Sequence, residues 1–157
     1  MEHCGGQYLD LRFLDYLILL VVRRSTTKEP KMPKKILVID DEVLVVESLK
    51  RLLKKAGYIV STAQNYQEAI EGVKKNDFDL IISDIRMAGE DGIEIVKNIR
   101  SYLQENKKGM IPEILITGYV SEDKYQVAIE LGVRAYLNKP FDIKEFLETV
   151  SEILNEK

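Results

Sequence analysis

The sequence predicts an α/β fold in which an open, doubly wound sheet of five parallel strands carries helices on both faces. Three observations lead to this prediction. Short, continuous apolar runs such as residues 36–39 and 80–82 are typical of strands buried on both faces. Segments with apolar residues at helical spacing lie between these runs. The two kinds of segment alternate five times after Lys34, and such alternation produces a parallel sheet.

The strands and helices can be assigned in order along the chain. The predicted strands are residues 36–39, 58–62, 80–82, 114–116 and 135–137. Each is followed by a predicted helix, and the apolar positions of these helices lie within residues 45–56, 69–73, 95–103, 127–131 and 146–154. Gly57 and Gly132 are placed to end the first and fourth helices, and Asn65, Ser121 and Asp142 are placed to cap the second, fourth and fifth.

Composition excludes several classes of function. The chain has 23 basic and 26 acidic side chains, and a net charge of −3 argues against a dedicated nucleic-acid binder. One cysteine, Cys4, allows no intrachain disulfide, which favours a reduced cytoplasmic protein. One histidine, His3, excludes a histidine-based triad in the core and a site with several histidine ligands.

Residues 1–31 are predicted to be an N-terminal extension, disordered or preceding the native start, and residues 32–157 the folded domain. The apolar stretch at residues 13–22 spans ten residues, which is too short for a membrane crossing of about 20. It also lacks the cleavage site of a signal peptide. Membrane contact by this stretch is therefore not expected, although a docking element stays open as the alternative.

Chemistry in an open α/β sheet is expected at the carboxyl ends of the strands. Asp40 and Asp41 follow the first strand, and Asp84 follows the third. Thr117 follows the fourth strand and Lys139 the fifth. Three carboxylates that share one edge repel one another, and a hard divalent cation such as Mg²⁺ relieves the repulsion. With a cation, a lysine and a hydroxyl nearby, such a carboxylate is suited to phosphoryl transfer through an aspartyl-phosphate.

The segments around these residues resemble the receiver domains of two-component response regulators. The resemblance covers residues 33–157 and rests on residues 36–42 (ILVIDDE), 80–87 (LIISDIRM), 89–92 (GEDG), 116–119 (ITGY) and 136–141 (YLNKPF). It implies the flavodoxin-like strand order 2-1-3-4-5. By itself, the Asp91-Gly92 pair indicates only a structural turn.

The resemblance also implies a role for each site residue. Asp84 is the phosphoacceptor. Asp40 and Asp41 hold Mg²⁺, Asp41 directly and Asp40 through water, and the backbone carbonyl of Arg86 is a further ligand. Ala88 stands where the family often has proline, which leaves only the shape of that loop open.

The same resemblance implies switch, charge and other roles for further residues. Thr117 binds a phosphoryl oxygen, and Lys139 pairs with the phosphoryl group. Tyr136 matches the switch aromatic, whose ring moves inward when Thr117 moves. The Lys139–Pro140 peptide bond is expected to be cis. Tyr119, together with Arg86, tunes the lifetime of the phosphate.

The implied partner is a sensor histidine kinase or a histidine phosphotransfer protein, which docks near residues 43–46. The readout face is formed by the fourth helix, fifth strand and fifth helix, including Tyr125 and Tyr136, and the downstream protein is unknown. Direct nucleic-acid binding is not expected, and a phosphorylation-dependent dimer stays open. Only 17 residues follow Pro140, so we expect a stand-alone receiver or one cut from a longer protein.

Two other functions remain as alternatives. A phosphorylation-independent pseudo-receiver would act purely as an interaction module. A haloacid-dehalogenase-type phosphohydrolase also forms an aspartyl-phosphate, but in that family the nucleophile follows the first strand in an Asp-x-Asp pattern, whereas Asp40 and Asp41 are adjacent. We expect the chain to catalyse its own phosphorylation and dephosphorylation and no reaction on an external substrate.

Overall fold

A computed structural model describes residues 32–118 and 122–156. The predicted extension at residues 1–31, with its apolar stretch at residues 13–22, lies outside the described residues. Tyr119 and the candidate cap Ser121 lie outside them as well. In the part that is described, no helix is long and apolar enough to cross a membrane.

The sheet has the predicted architecture. All five strands are parallel, and their spatial order is β2-β1-β3-β4-β5, which confirms the predicted fold class. The strands are β1 (Lys35–Ile39), β2 (Ile59–Ala63), β3 (Leu80–Asp84), β4 (Glu113–Thr117) and β5 (Ala135–Asn138). The structure therefore extends several predicted strands by one or two residues and shifts the second by one.

Five helices, counted within the described residues, cover the two faces of the sheet. They are α1 (Val43–Lys55), α2 (Tyr66–Lys75), α3 (Gly92–Glu105), α4 (Glu122–Leu131) and α5 (Ile143–Asn155). Alternate residues of β1 point to opposite faces, as a strand requires. Val38 packs with residues of α1 and α5, whereas Leu37 packs with residues of α2 and α3.

The predicted helix ends are confirmed wherever the structure describes them. The Asn65 side chain accepts a hydrogen bond from the Glu68 amide at 2.9 Å, and Asp142 Oδ1 accepts from two amides of the first turn of α5. Gly57 and Gly132 follow α1 and α4 with φ of +94° and +70°. These left-handed conformations suit glycine because it has no Cβ.

One element was not predicted from the sequence. Directly after β3 the chain forms a short antiparallel hairpin, in which Arg86–Met87 pairs with Glu90–Asp91. Ala88 and Gly89 connect the two arms, and Gly89 has a φ of +75°. The hairpin leads straight into α3, so it forms one wall beside the carboxyl end of β3.

Candidate phosphoacceptor and metal site

Strand register brings the candidate site residues to one edge of the sheet. Ser83 of β3 pairs with Ile39, the last residue of β1, so Asp84 lies level with the chain that leaves β1. In the same way, Thr117 at the end of β4 pairs with Asn138 of β5. Lys139 follows directly, and its amide donates to the Thr117 carbonyl at 2.7 Å.

Three carboxylates form a cluster at this edge. Asp40, Asp41 and Asp84 each offer an oxygen, and these oxygens lie within 4.8 Å of one another. Asp40 and Asp84 are only 2% and 6% exposed, and Asp41 is half-buried. The Ile85 amide donates to Asp84 Oδ1 at 3.0 Å, and the Glu42 amide donates to Asp40 Oδ1 at 2.9 Å. Backbone amides thus hold both of these buried carboxylates in place.

The Lys139 ammonium group lies between two of these carboxylates. Its Nζ donates to Asp40 Oδ2 at 2.9 Å and lies 3.7 Å from Asp84 Oδ1. Burial lowers the pKa of Lys139, but the hydrogen bond to Asp40 and the charges of Asp40 and Asp84 outweigh it, so the pKa is raised overall. Lys139 is therefore a fixed positive charge beside Asp84.

Asp84 has an unusual affinity for protons. Burial raises its pKa from 3.8 to about 6, even though Lys139 and the amides of Ile85 and Arg86 act in the opposite direction. The negative charge of Asp40 adds to the increase. A buried carboxylate with a raised pKa, close to two others, is typical of a functional site.

The donor set of this cluster fits a hard divalent cation. Mg²⁺ prefers oxygen ligands and binds through one or two carboxylates while it keeps several waters. The cluster offers three carboxylates, and within residues 32–118 and 122–156 the two most buried have one neighbouring ammonium group, Lys139, to offset their charges. Arg86, whose carbonyl the sequence proposes as a ligand, begins the hairpin two residues after Asp84.

The two candidate switch residues lie on neighbouring strands. Thr117 is buried at the end of β4, whereas Tyr136 is half-buried in β5. The rings of Tyr136 and Tyr125 meet edge to face, with centroids 5.2 Å apart. The Tyr136 hydroxyl is buried and has no hydrogen-bond partner among the described residues. Burial and the neighbouring Tyr125 raise its pKa. The Lys139–Pro140 peptide bond is cis.

The Asp91-Gly92 pair does more than form a turn. Asp91 caps α3, because its Oδ1 accepts from the Ile93 amide at 2.9 Å, and it also forms an ion pair with Lys124 of α4. Gly92 lies directly against the phosphoacceptor candidate: a Cβ at this position would be 1.8 Å from the Asp84 carbonyl oxygen. The glycine itself indicated an unusual backbone at position 92. The sequence did not indicate that this backbone lies against Asp84.

A buried ion pair was missed by the sequence analysis. Glu113, at the start of β4, is 2% exposed and accepts two hydrogen bonds from Arg100 of α3, at 2.8 and 2.7 Å. The same guanidinium donates to the carbonyl of Leu131, the last residue of α4. Glu113 stands next to an apolar run that predicts a strand, and only this position within the sequence could have suggested its burial.

Comparison with known families identifies the fold. The sequence profile of the response regulator receiver domain matches residues 36–151, which is more than half of the chain. The chain belongs to the response regulator receiver family. Receivers of this kind work in two-component signalling, so the resemblance drawn from the sequence motifs is confirmed.

Individual relatives agree with this assignment. The transcriptional regulatory protein ZraR of Klebsiella oxytoca is 40% identical over 119 residues, which cover 76% of this chain and 26% of the relative. The solved structure of the chemotaxis protein CheY4 of Vibrio cholerae is 32% identical with a TM-score of 0.69, covering 77% of this chain and 98% of that one.

A third relative is a response regulator of Burkholderia pseudomallei, solved with a phosphorylated aspartic acid, a calcium ion and citrate. It is 26% identical with a TM-score of 0.66, and the match covers 78% of this chain and 69% of that one. The matched part of this chain spans between 26% and 59% of the length of the curated relatives.

Proposed function

We propose that this receiver accepts a phosphoryl group on Asp84 in a Mg²⁺-dependent reaction and thereby switches its binding of another protein. The observation that carries the proposal is the cluster of Asp40, Asp41 and Asp84 beside the Lys139 ammonium group. An aspartate with a raised pKa, a neighbouring cation and a donor set suited to Mg²⁺ is what aspartyl-phosphate chemistry needs.

The donor is a phosphohistidine on a sensor kinase or phosphotransfer protein, the partner that membership of the receiver family implies. An oxygen of the Asp84 carboxylate attacks phosphorus, the P–N bond to the imidazole breaks, and its electron pair returns to the imidazole. Lys139 balances the charge that the phosphoryl group brings to Asp84. Mg²⁺, held by Asp40, Asp41, Asp84 and the Arg86 carbonyl, would supply further charge neutralisation when bound.

The phosphoryl group would be read out through the Thr117 and Tyr136 pair. Thr117 lies at the same edge as Asp84 and can donate its hydroxyl to a phosphoryl oxygen. Tyr136 packs next to Ala128 of α4, so a change at Thr117 can reach the α4–β5–α5 face. Tyr125 and Ile129 are exposed on α4, which supports this face as the readout surface and as the contact of a phosphorylation-dependent dimer.

The histidine donor would dock on the N-terminal part of α1. Leu44 is 83% exposed, and Val43 and Ile143 are also largely exposed. Leu44 and Ile143, together with Val45 and Phe141, line an apolar groove that reaches Lys139. The groove therefore lies next to the phosphoacceptor, where a bound helix could present its histidine to Asp84.

The remaining parts of the proposal concern the chain as a whole. Residues 32–157 form the receiver domain, and residues 1–31 take no part in its chemistry. The protein acts in the cytoplasm, where sensor kinases present their phosphohistidine. The downstream partner is a protein and not a nucleic acid, because the net charge is −3.

Phosphorylation of the purified chain tests the proposal. Incubation with a phosphorylated kinase domain or with phosphoramidate, in the presence of Mg²⁺, should add one phosphoryl group to the wild type and none to Asp84→Asn. Asp77→Asn is the matched control, because Asp77 is 96% exposed in its side chain and lies away from the cluster. Label on Asp84→Asn at the same site would overturn the assignment of Asp84.

Two further assays distinguish the two alternative functions from the proposed one. A pseudo-receiver would show no change in its amide NMR spectrum when Mg²⁺ and beryllofluoride are added together. A haloacid-dehalogenase-type phosphohydrolase would hydrolyse p-nitrophenyl phosphate steadily, whereas the proposed receiver would not. Steady hydrolysis that is lost in Asp40→Asn but kept in Asp84→Asn would favour the hydrolase.

A further inference from the structure

The hairpin beside the cluster is fastened to the rest of the molecule at several points. Its Met87 side chain is buried in the core that contains α2 and α3. Glu90 Oε2 accepts a hydrogen bond at 2.8 Å from the Tyr66 amide, at the start of α2. Asp91 caps α3. The two connecting residues, Ala88 and Gly89, are therefore exposed but rest on an anchored frame.

This frame directs one backbone amide at the carboxylate cluster. The Ala88 N–H donates to Asp41 Oδ2 at 2.7 Å, across 47 positions of sequence. Ala88 is the first residue of a two-residue connection, a position at which the ladder between Arg86–Met87 and Glu90–Asp91 does not use the amide. The amide is thus free to bind a side chain outside the hairpin.

We infer that the backbone amide of Ala88 is a positioning group for the Asp41 carboxylate at the metal site. The inference rests on the proposed function, since it takes Asp41 as a ligand of Mg²⁺. A carboxylate that binds a metal is commonly oriented by a hydrogen bond from a group that does not itself touch the metal. Loss of such a group lowers metal affinity by about 10- to 100-fold. The hydrogen bond fixes Asp41 before the cation arrives, so less side-chain entropy is lost on binding.

The choice of residue at position 88 therefore affects the metal site through the backbone and not through a side chain. Proline has no N–H and cannot make this hydrogen bond. It is otherwise compatible with the turn, because proline is favoured at the first central residue when the second, here Gly89, has a positive φ. The residue before a proline prefers an extended conformation, and Met87 is in a strand.

Titration of three proteins with MgCl₂ at constant ionic strength, followed by amide NMR, tests the inference. Ala88→Pro should raise the dissociation constant for Mg²⁺ by about tenfold or more. Ala88→Ser keeps the amide and should bind Mg²⁺ within about twofold of the wild type. The urea unfolding midpoint in EDTA should be the same for both variants, because a purely structural defect would lower it for Ala88→Pro.

Equal Mg²⁺ affinity of Ala88→Pro and the wild type would overturn the inference and leave the proposed function intact. Equal weakening in Ala88→Ser would also overturn it, because the side chain would then be responsible. A wild type that binds no Mg²⁺ would instead overturn the proposed function. If Ala88→Pro does not fold, Asp41→Ala replaces it: the Ala88 amide should then exchange with solvent at least about tenfold faster, and an unchanged rate would reject the inference.

Discussion

The protonation of Asp84 links a single buried carboxyl group to the stability of the fold. Burial raises its pKa to about 6, whereas the unfolded chain has a value near 3.8. The folded protein therefore binds the proton more tightly. As pH rises through the window from about 4 to 6, the folded state loses stability, and the loss is complete above pH 6.

Asp84→Asn should remove the loss of stability that ionisation of Asp84 causes. In EDTA at pH 8 we expect the variant to be more stable than the wild type, by up to the order of 3 kcal/mol, and at pH 4 the two should be similar. Urea unfolding at both pH values measures the difference. Asp77→Asn, at an exposed position, should change little at either pH. A stability gain for Asp84→Asn that is the same at pH 4 and pH 8 would contradict the raised pKa.

Gly92 shows how a residue without a side chain can be essential to the site. A Cβ here would lie 1.8 Å from the carbonyl oxygen and 2.8 Å from the carbonyl carbon of Asp84, both of them backbone atoms that cannot turn away. Gly92→Ala must therefore displace β3 or the start of α3. We expect a loss of about 1–3 kcal/mol or more in the free energy of unfolding.

The same substitution should impair phosphorylation of Asp84, since the backbone that carries it moves. Gly109→Ala is a matched control, because a Cβ at Gly109 would meet no atom within 4 Å. Urea unfolding and the phosphorylation assay should both separate the two variants. A Gly92→Ala protein with normal stability and normal phosphorylation would show that the contact between Gly92 and Asp84 is not tight in solution.

At the scale of elements, α4 depends on charged contacts more than the other helices do. Ala128 is its only buried residue among those described. Its first turn is held by the half-buried ion pair between Lys124 and Asp91, and its last carbonyl, that of Leu131, accepts a hydrogen bond from Arg100. Arg100 is itself fixed by Glu113. The C-terminal end of α4 therefore has the more buried and more firmly held contact.

Arg100→Met should test how much this contact stabilises the fold. It leaves the buried Glu113 carboxylate without its partner, and breaking a buried ion pair costs about 3–5 kcal/mol. Lys97→Met on the same helix removes only the exposed pair with Glu94 and should cost less than about 1 kcal/mol. Urea unfolding of both variants gives the comparison.

A double variant adds a second check on the same helix. Arg100→Met combined with Glu113→Leu removes both charges, and much of the lost stability should return because no unpaired charge stays buried. A double variant that is as unstable as Arg100→Met alone would mean that packing or the Leu131 contact, and not the unpaired Glu113 carboxylate, determines the loss of stability.

At the scale of the whole molecule, the fold and the placement of the site could be predicted because both depend on local pattern. Residues 36–39 and 80–82 are continuous apolar runs, and polar residues follow them directly. Parallel strands in one sheet end at one edge, so Asp41 and Asp84 had to meet even though 43 positions separate them. No knowledge of side-chain contacts was required.

The contacts that the sequence did not predict depend on which residues the fold brings together. The ion pair of Arg100 and Glu113, the approach of Gly92 to Asp84 and the bond from Ala88 to Asp41 each join residues whose own sequence context is ordinary. These contacts could therefore be found only once the backbone was placed in three dimensions.

Mg²⁺ binding should report on the entire fold, because a ligand that binds only the folded state stabilises it globally. At a concentration 100 times the dissociation constant the gain is about 2.7 kcal/mol. The proton and Mg²⁺ compete for Asp84, whose pKa is about 6, so saturation requires more Mg²⁺ at pH 5 than at pH 8. We therefore expect a fixed concentration of MgCl₂ to raise the urea midpoint more at pH 8. Asp41→Ala should lose most of the gain at both pH values, whereas Asp77→Asn should keep it. An equal gain in the wild type and in Asp41→Ala would mean that the cation binds elsewhere.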